Sequence, residues 1–410
     1  MSGAGARVLV ADYPGGQVIA GARALAAAGD RCELAWPRGP LDRLAMSRAL
    51  RAWHAIPSAI ADPEAFVDGL VELTRRADYD LLLPFGLDAC HAVARFADRL
   101  APHVAFAAPA YDRFALANDK LATARHCAAI GVAVPRVFSD VGPVDLDAVC
   151  RAARFPVVVK ARSGSGVTEA LRYAADPEAL RRVYGAMVER SGRDGVRDFS
   201  APLIQEFVPG HIHDACTVSW RGETVAVLTQ VRQVMSPIYG GVGAINRTTD
   251  SPPLRALARR VLESLDWHGP AQVEFKYDPR DRVYKLIEIN PKLWGTLPLS
   301  IAAGMNFPGM IRDLVLGRPV PRDPPYRVGL RFGFLFPQST QAVAQLGRRF
   351  GWDRVWRARR ALWPDVVDFD PRDPLPDLRR AAGAVWRQWR GGTDEANAGV
   401  APTNPPESIR

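Results

Sequence analysis

The first quarter of the chain alternates short apolar runs with stretches that carry apolar residues at helical spacing. Asp62 followed by Pro63 is typical of a helix start. We predict strands at 7–12, 31–36, 81–83 and 104–107 and helices at 17–28 and 62–77. Strands that alternate with helices indicate a parallel sheet, so this part is predicted to be α/β and Rossmann-like.

The pattern changes after residue 110. Residues 111–130 predict one connecting helix that ends at Gly131. Alternating polar and apolar residues then predict strands at 155–160, 169–173, 203–208, 215–220, 224–230, 271–277 and 282–289, with helices beginning near Pro177 and Pro252. The runs from 203 to 230 predict an antiparallel set and the last two runs a hairpin, so the second part is α+β. No internal repeat is present.

These changes divide the chain into five predicted segments. They are a Rossmann-like domain at 1–112, a connector with a small lobe at 113–200, an antiparallel-sheet lobe at 201–322, an Arg/Trp-rich helical segment at 323–390 and a disordered tail at 391–410.

Basic residues outnumber acidic ones by 53 to 44, and only five of the basic residues are lysine. No nucleic-acid motif accompanies this excess, so nucleic acid is not an expected partner. The uncharged stretch 293–311 is broken by proline, glycine and polar residues, which argues against a membrane span. Five cysteines without a Cys-x-x-Cys pair predict free thiols and a cytoplasmic location.

Residues 341–390 carry 11 basic and 6 acidic residues together with five tryptophans. Two interpretations are open. The favoured one is a solvated helical segment that packs its tryptophans on the body of the protein; the other is a surface for a membrane or a partner.

The predicted hairpin carries the first chemical signal. Glu288 and Asn290 are two residues apart and share a strand face, and the turn brings Glu274 across from them. Two carboxylates and an amide oxygen are hard ligands, which favour Mg²⁺ that bridges a polyphosphate over zinc.

Lysines beside glycine-rich turns carry the second signal. Lys160 closes an apolar strand and is followed by the turn 163–166, an arrangement that suits phosphate oxygens. Lys120 is a second isolated ammonium group. The strand 205–208 is broken by Pro209-Gly210, which leaves backbone groups free to read an adenine edge.

The sequence also contains weaker candidates for metal-binding, catalytic and cofactor-binding residues. His211 and His213 are spaced to share a strand face and could hold a metal, although ribose contact or surface polarity is favoured. Cys90 and His91, with Asp88, follow a strand end, where Cys–His catalysis is less favoured than a helix-surface role. Gly3-x-Gly5 precedes the first strand, so a nicotinamide site is not predicted.

Five fragments in order resemble the ATP-grasp superfamily, in particular its carbamoyl-phosphate-synthetase-like branch of predicted carboxylate–amine ligases. The fragments are Asp119-Lys120, Val159-Lys160 with the Ser/Gly loop, Gln205 to Gly210, Gln272 to Phe275, and Glu288 to Pro291. Each is short, but five in this order are specific, and the likeness covers about residues 7–320. It implies a Rossmann-like lobe, a lid lobe and an antiparallel sheet that traps ATP.

The resemblance also implies roles. Phosphates would be bound by Lys120 and Lys160 and covered by the lid residues Ser163, Gly164, Ser165 and Gly166; the nucleotide would further contact Glu206, Phe207, Val208, Leu286 and either His213 or Asp214. Glu274, Glu288 and Asn290 would bind one or two Mg²⁺, for which Mn²⁺ can substitute. Arg232, with the loop 239–241, and Lys292 would face the reacting groups, although Lys292 stands where relatives commonly carry Arg.

The implied reaction is ATP-dependent activation of a carboxylate as an acyl phosphate, followed by attack of an amine to give an amide. The alternatives are a bicarbonate-activating or carbamoyl-type enzyme and a nucleotide-binding protein without turnover. Substrate identity would depend on loops near 13–16, 84–91, 235–247 and 292–300, which no motif constrains. Many relatives are dimers, so a homodimer is the expected assembly.

Overall fold

The computed structural model describes residues 5–37, 47–139, 144–164, 171–189, 193–194, 197–236 and 241–390. The predicted disordered tail at 391–410 lies outside these residues. Ser165 and Gly166 of the predicted lid loop, and residues 239 and 240, lie outside them as well.

The N-terminal lobe is a parallel sheet covered by helices, which confirms the predicted class. Its elements are β1 (Arg7–Ala11), α1 (Gly16–Ala27), β2 (Arg31–Ala35), β3 (Leu50–His54), α2 (Pro63–Arg76), β4 (Leu81–Pro84), α3 (Leu87–Arg95) and α4 (Ala97–Leu100). The strand order is β3-β2-β1-β4. Because β2 and β4 flank β1, the strand order reverses between β1 and β4, where ligands bind in sheets of this kind.

Two details of this lobe differ from the prediction. Strand β3 was not predicted, because it is only five residues long and interrupts its apolar residues with Arg51 and His54, as an edge strand can. The segment 104–107 is not a strand: it meets β4 through a hydrogen bond from Leu82 N to Ala105 O (2.9 Å) and forms no ladder in the described structure.

The predicted helix at 111–130 is two helices, α5 (Tyr111–Asn118) and α6 (Lys120–Ala129). The break occurs at Asp119, whose carboxylate accepts hydrogen bonds from Leu121 N (2.9 Å) and Ala122 N (3.0 Å). Aspartate competes with the helix for backbone N–H groups and so starts a new helix. The break makes Lys120 the first residue of α6. Gly131 follows α6 with a positive φ of 71°, as predicted.

A small lobe follows the connector. It consists of α7 (Leu146–Ala152), β5 (Val157–Lys160), β6 (Leu171–Ala174), α8 (Pro177–Glu189), β7 (Arg193–Asp194), β8 (Arg197–Asp198) and β9 (Leu203–Glu206). Strand β9 pairs with β5 in the order β6-β5-β9, so its predicted pairing with 215–230 is wrong. The Pro209-Gly210 break turns the chain from one sheet to the next, and a Cβ at Gly210 would lie 2.2 Å from the Tyr277 carbonyl oxygen.

The large sheet has the order β14-β13-β10-β11-β12-β15-β16 within the described residues. Its region contains β10 (Ile212–Trp220), β11 (Glu223–Ser236), β12 (Val242–Thr249), α9 (Pro252–Ser264), β13 (Gly269–Asp278), β14 (Val283–Asn290), α10 (Leu297–Ala302), α11 (Phe307–Val315), β15 (Arg331–Gly333), α12 (Thr340–Phe350), α13 (Trp352–Arg357), α14 (Arg359–Leu362), β16 (Val366–Val367) and α15 (Leu375–Arg390). Two predictions are corrected here. Residues 242–247 of the predicted loop 235–247 belong to strand β12, and the C-terminal segment adds the strands β15 and β16 to its helices.

Two layers cover this sheet. On one face, α9 packs over Ala215, Val273 and Phe275. On the other, one core joins Cys216 and Leu228 to α10, α11 and the N-terminal lobe. The N-terminal lobe is therefore held against the sheet by shared apolar packing. No helix in the described part of the chain is both long and apolar enough to cross a membrane.

Substitution of Asp62 tests whether its side chain caps the N-terminus of α2. Its carboxylate accepts from Glu64 N (3.1 Å) and Ala65 N (2.9 Å) at the N-terminus of α2. Asp62→Ala should lower the free energy of unfolding by about 1 kcal/mol, because these N–H groups lose their acceptor. Asp68→Ala on the same helix removes only an exposed pair with Arg99 and should cost about 0.5 kcal/mol or less. Equal losses in urea denaturation would contradict the cap.

Candidate active site

The hairpin of β13 and β14 brings the predicted acidic residues together. Glu274 and Glu288 are directly opposite each other, and Gln272 is opposite Asn290. The Asn290 amide nitrogen donates to Glu274 Oε1 (2.9 Å) and lies 3.4 Å from Glu288 Oε1. Glu274, Glu288 and Asn290 therefore form one oxygen-rich cluster on one face of the sheet, as the alternation predicted.

A β-bulge changes the strand phase just beyond this cluster. Glu274 is opposite Glu288, but Phe275 is opposite Leu286, so Ile287 is the extra residue. Leu286 consequently shares the buried face with Phe275, in the core under α9. The structure therefore does not bring Leu286 to the cluster, although it was expected in the nucleotide site. Strict period-two alternation, which the sequence suggests, would place Leu286 on the same face as Glu288.

Two lysines approach the cluster from different elements. Lys120, at the start of α6, lies 3.4 Å from Glu288 Oε2 and donates to the Gly164 carbonyl. Lys160, at the end of β5, donates to the Ile287 carbonyl at the bulge (3.3 Å). Burial lowers the pKa of Lys160 to about 8, against the attraction of Glu288. Gly164 adopts a positive φ of 83°, which turns the chain back over Lys120.

The surroundings shift the pKa values of Glu288 and Glu274 in opposite directions. Burial alone would raise the pKa of Glu288, but Lys120, Lys160 and Arg232 outweigh it and leave that pKa lowered. For Glu274, burial wins and raises the pKa to about 7, against the pull of Arg232. The site thus combines Glu288, an anionic carboxylate that faces ammonium groups, with Glu274, a carboxylate whose pKa is about 7.

Arg232 supports this arrangement from β11. Its guanidinium binds Asp214 through Nη2 to Oδ1 (2.8 Å) and Nε to Oδ2 (3.2 Å), and it also contacts Glu274. Asp214 is fully buried and accepts a further bond from Gln230 (2.8 Å), which also contacts Thr296. Asp214 therefore holds Arg232, and Arg232 holds Glu274.

The predicted ribose contacts separate in the structure. Successive residues of β10 point to opposite faces, so Asp214 joins the cluster while His213 pairs in register with Phe275 on the other side. The His213 ring packs edge-on against Tyr284, with 5.3 Å between centroids, and burial lowers its pKa to about 4. His213 is therefore a neutral residue on the sheet face opposite to the cluster, and Asp214 is occupied by Arg232.

The segment 206–208 is tied to the same strand by a lysine. Lys276 donates to the Val208 carbonyl (2.8 Å), and its ammonium group lies 5.1 Å from the centre of the Phe207 ring. Glu206 pairs with Arg280 (2.6 Å) at the hairpin tip. Burial lowers the pKa of Lys276 to about 8. The sequence placed Lys276 on the face of Glu274 but did not reveal this contact.

The hairpin tip also explains Lys285. Its ammonium group lies 2.7 Å from Asp278 and 3.8 Å from Glu206. Lys285 therefore completes an ion-pair cluster at the tip and connects it with the segment that starts at Glu206.

Lys292 connects the cluster to the N-terminal lobe. Burial lowers its pKa, against the attraction of Cys90, Glu274, Asp12 and Glu288. Asp12 follows β1, and burial raises its pKa to about 7. A Cβ at Gly86 would lie 2.5 Å from the Asp12 carboxylate, so a larger residue there would displace Asp12. Our sequence reasoning missed Asp12, although it stands at the end of β1 where the strand order reverses.

The remaining candidates after β4 play different parts. Asp88 and His91 line a cavity of about 410 Å³ that also touches Arg162 and Ser163, beside the described half of the predicted lid loop. Cys90 is not among the lining residues. Burial raises the pKa of its thiol well above the usual range, so a reactive thiolate is disfavoured.

The donor set of the cluster fits Mg²⁺. Within the described ranges no three His, Cys, Asp or Glu side chains converge on one point, so His211 and His213 form no such site. The cluster offers instead two carboxylates, to which Asn290 would add its amide oxygen by rotating the amide that now donates to Glu274. Mg²⁺ is usually bound by one or two carboxylates together with substrate phosphates and water. The neighbouring ammonium groups suit those phosphates.

Arg232 provides a stability test of the cluster. Arg232→Met should lower the free energy of unfolding by about 3–5 kcal/mol, because Asp214 and Glu274 would stay buried without their cation. Arg247→Met, an exposed change on the neighbouring strand β12, should cost about 0.5 kcal/mol or less. Adding Asp214→Asn to Arg232→Met should restore part of the loss. Chemical denaturation measures all three, and a mild effect of Arg232→Met would contradict the assigned role.

Comparisons with known proteins agree with this geometry. Residues 198–333 match the family described as ATP-grasp in the biosynthetic pathway with Ter operon. No curated protein matches the sequence. The matched residues include the whole β13–β14 hairpin and Arg232 with its partner Asp214, but they leave out Lys120 and Lys160.

Solved structures share the fold over most of the chain. The biotin carboxylase–β-γ-ATP complex from Campylobacter jejuni has a TM-score of 0.63 at 15% identity and covers 79% of this chain and 74% of that one. N5-carboxyaminoimidazole synthetase from Staphylococcus aureus, complexed with ADP, has a TM-score of 0.57 at 13% identity (80% and 81%). The L-amino acid ligase from Bacillus licheniformis has a TM-score of 0.56 at 14% identity (77% and 75%). Residues 198–333 therefore match an ATP-grasp family, and the chain as a whole shares the fold of these solved structures.

Proposed function

We propose that this protein is an ATP- and Mg²⁺-dependent ligase that activates a substrate carboxylate and joins it to an amine. The observation that carries the proposal is the convergence of Lys120 and Lys160 on Glu274, Glu288 and Asn290. Cations suited to phosphate oxygens and hard oxygen ligands suited to Mg²⁺ meet within one buried cluster. The likeness to ATP-grasp proteins of known structure supports ATP as the nucleotide.

Each part of the cluster has a role in this proposal. Lys120 and Lys160 bind the α and β phosphates, and the loop 163–166 covers the γ phosphate. Glu274, Glu288 and Asn290 hold Mg²⁺, which when bound neutralises charge on the transferred phosphoryl group. Segment 206–208 holds the base. Lys276 fixes this segment by donating to the Val208 carbonyl.

The chemistry follows from leaving groups. A carboxylate resists attack by an amine because an oxide ion would have to leave. Attack of a carboxylate oxygen on the γ phosphorus gives an acyl phosphate and ADP. The amine then attacks the acyl carbon, phosphate leaves, and the proton of the amine is lost. Positioning and charge stabilisation supply most of the rate, and a closed lid keeps water from the acyl phosphate.

The acceptor substrates fit best between the cluster and the N-terminal lobe. Lys292 and Asp12 attract each other electrostatically there, and Asp12 stands at the reversal of strand order in the N-terminal sheet. A lysine ammonium suits a substrate carboxylate or the acyl phosphate, although it lacks the two-pronged geometry of the arginine common in relatives. Arg232 acts in this proposal by positioning Glu274.

A second candidate function is activation of bicarbonate. The Campylobacter jejuni biotin carboxylase is more similar in fold to this chain (TM-score 0.63) than the L-amino acid ligase (0.56). Release of ADP with bicarbonate alone would favour this candidate. The biotin carboxylase domain of Hydrogenobacter thermophilus 2-oxoglutarate carboxylase is a dimer in its structure, which supports a homodimer for this protein.

An ADP-release screen that crosses carboxylates with amines tests the proposal. ADP should form only when both substrates are present, and Glu288→Gln should lower kcat by about 100-fold to 1000-fold. Glu223→Gln, an exposed change on the same sheet, is the matched control and should leave kcat unchanged. ATP binding without turnover across the whole panel, or full activity of Glu288→Gln, would overturn the ligase proposal.

Lys276 offers a test of the nucleotide-binding segment. Lys276→Met should raise the KM for ATP roughly fivefold to tenfold with little change in kcat, because the Val208 carbonyl loses its partner and the segment shifts. Arg247→Met, an exposed change on strand β12, removes a positive charge away from segment 206–208. If both variants raise KM equally, the effect comes from the lost charge and not from the Val208 contact.

A further inference from the structure

Three tryptophans of the C-terminal segment lie on the surface. Trp352, Trp356 and Trp363 are 59%, 69% and 76% exposed. The favoured expectation, that the tryptophans of this segment pack on the body of the protein, is therefore wrong for these three. Exposed tryptophans in such a group are unusual, since burial of one indole ring contributes more apolar contact than most side chains.

The helices that carry these tryptophans are anchored from their inner side. Val355, Ala358 and Leu362 are buried, and they pack with Ala342 and Leu346 of α12. Trp352 and Trp356 are one turn apart on α13. The Trp352 ring lies along Gly347 of α12, and both rings are more than half exposed. The exposure of these rings thus follows from how the helices are docked.

The same stretch is strongly basic. Residues 348–363 contain six arginines and one acidic residue, Asp353, and all six arginines are exposed: Arg348, Arg349, Arg354, Arg357, Arg359 and Arg360. We call residues 348–363 the tryptophan–arginine patch. Its net charge of +5 accounts for more than half of the +9 of the whole chain.

This charge selects among possible partners. A second copy of the chain, joined by a two-fold axis through this patch, would bring two +5 surfaces together. Single-stranded nucleic acid would need free ring faces for stacking, but the Arg359 guanidinium lies 4.8 Å over the centre of Trp356. Binding to an anionic bilayer brings no like-charged surfaces together and requires no free ring faces for stacking. Indole rings favour the headgroup region, and arginines bind lipid phosphates.

We propose that the tryptophan–arginine patch binds the surface of anionic lipid bilayers. The protein would lie on the membrane through α13 and α14, whose inner faces keep their packing on α12. Binding would combine insertion of the three indole rings at the headgroup level with attraction of the arginines to anionic lipids. The inference does not depend on the proposed ligase reaction.

Vesicle flotation with the full-length protein tests the proposal. We expect binding to vesicles of equal parts phosphatidylcholine and phosphatidylglycerol, much weaker binding to phosphatidylcholine alone, and loss of binding at high salt. Brominated lipids should quench part of the tryptophan fluorescence in the bound state. Absence of binding at low salt would overturn the proposal.

Matched variants locate the contact. Arg357→Gln with Arg360→Gln should lower partitioning about 30-fold, from about 1 kcal/mol for each arginine. Arg76→Gln with Arg182→Gln removes two equally exposed arginines elsewhere and should have no effect. Replacing Trp352, Trp356 and Trp363 by Gln should abolish quenching by brominated lipid. Circular dichroism checks folding, and the single variant Trp356→Gln, with an expected partial loss, replaces the triple variant if that unfolds.

Other outcomes would contradict the proposal. If the patch variants lose binding to a single-stranded oligonucleotide while vesicles never bind, the surface is a nucleic-acid site. If the tryptophan variants only abolish self-association in sedimentation, the patch is an interface between copies. Unchanged vesicle binding in all patch variants would place any membrane contact elsewhere.

Discussion

Three carboxylates lie side by side on adjacent strands of the large sheet, two of them buried (Asp214 and Glu274) and the third, Glu288, half-buried, and their charge is the constraint on which the site depends. Asp214 and Glu274 are paired across β10 and β13, and Glu274 faces Glu288 across β13 and β14. An uncompensated buried charge costs several kcal/mol. The row is stable only because cations reach it: Arg232 from β11 and Lys120 from α6.

The same requirement ties the lobes together. Lys120 belongs to the connector, Lys160 to the small lobe and Lys292 to the segment after β14, so three parts of the chain supply charge to one cluster. Apolar packing reinforces this arrangement, since one core runs from the N-terminal sheet through α10 and α11 to the large sheet. A nucleotide phosphate chain and Mg²⁺ would extend a charge balance that the folded protein already has.

The C-terminal segment contacts both the N-terminal lobe and the edge of the large sheet. Arg23 of α1 binds Asp373 (3.1 Å) and Asp377 (3.1 Å), while strand β16 pairs with β15 at the edge of the large sheet. The segment therefore bridges the N-terminal lobe and the large sheet. That bridge positions α13 and α14 with their buried residues inward and their tryptophans outward. The sequence favoured tryptophans that pack inward. Helical periodicity shows that a helix has two faces but not which of them is covered.

By itself the sequence determined the local features of the site. Period-two alternation and a short turn were enough to place Glu274 opposite Glu288 and Asn290, because hairpin pairing is local. Only the tertiary structure decided features that depend on partners distant in the chain. The bulge at Ile287 moved Leu286 to the core, and strand alternation in β10 separated His213 from Asp214. Pairing of β9 with β5, and the reach of Lys276 to Val208, required the packing of two sheets, which no local pattern encodes.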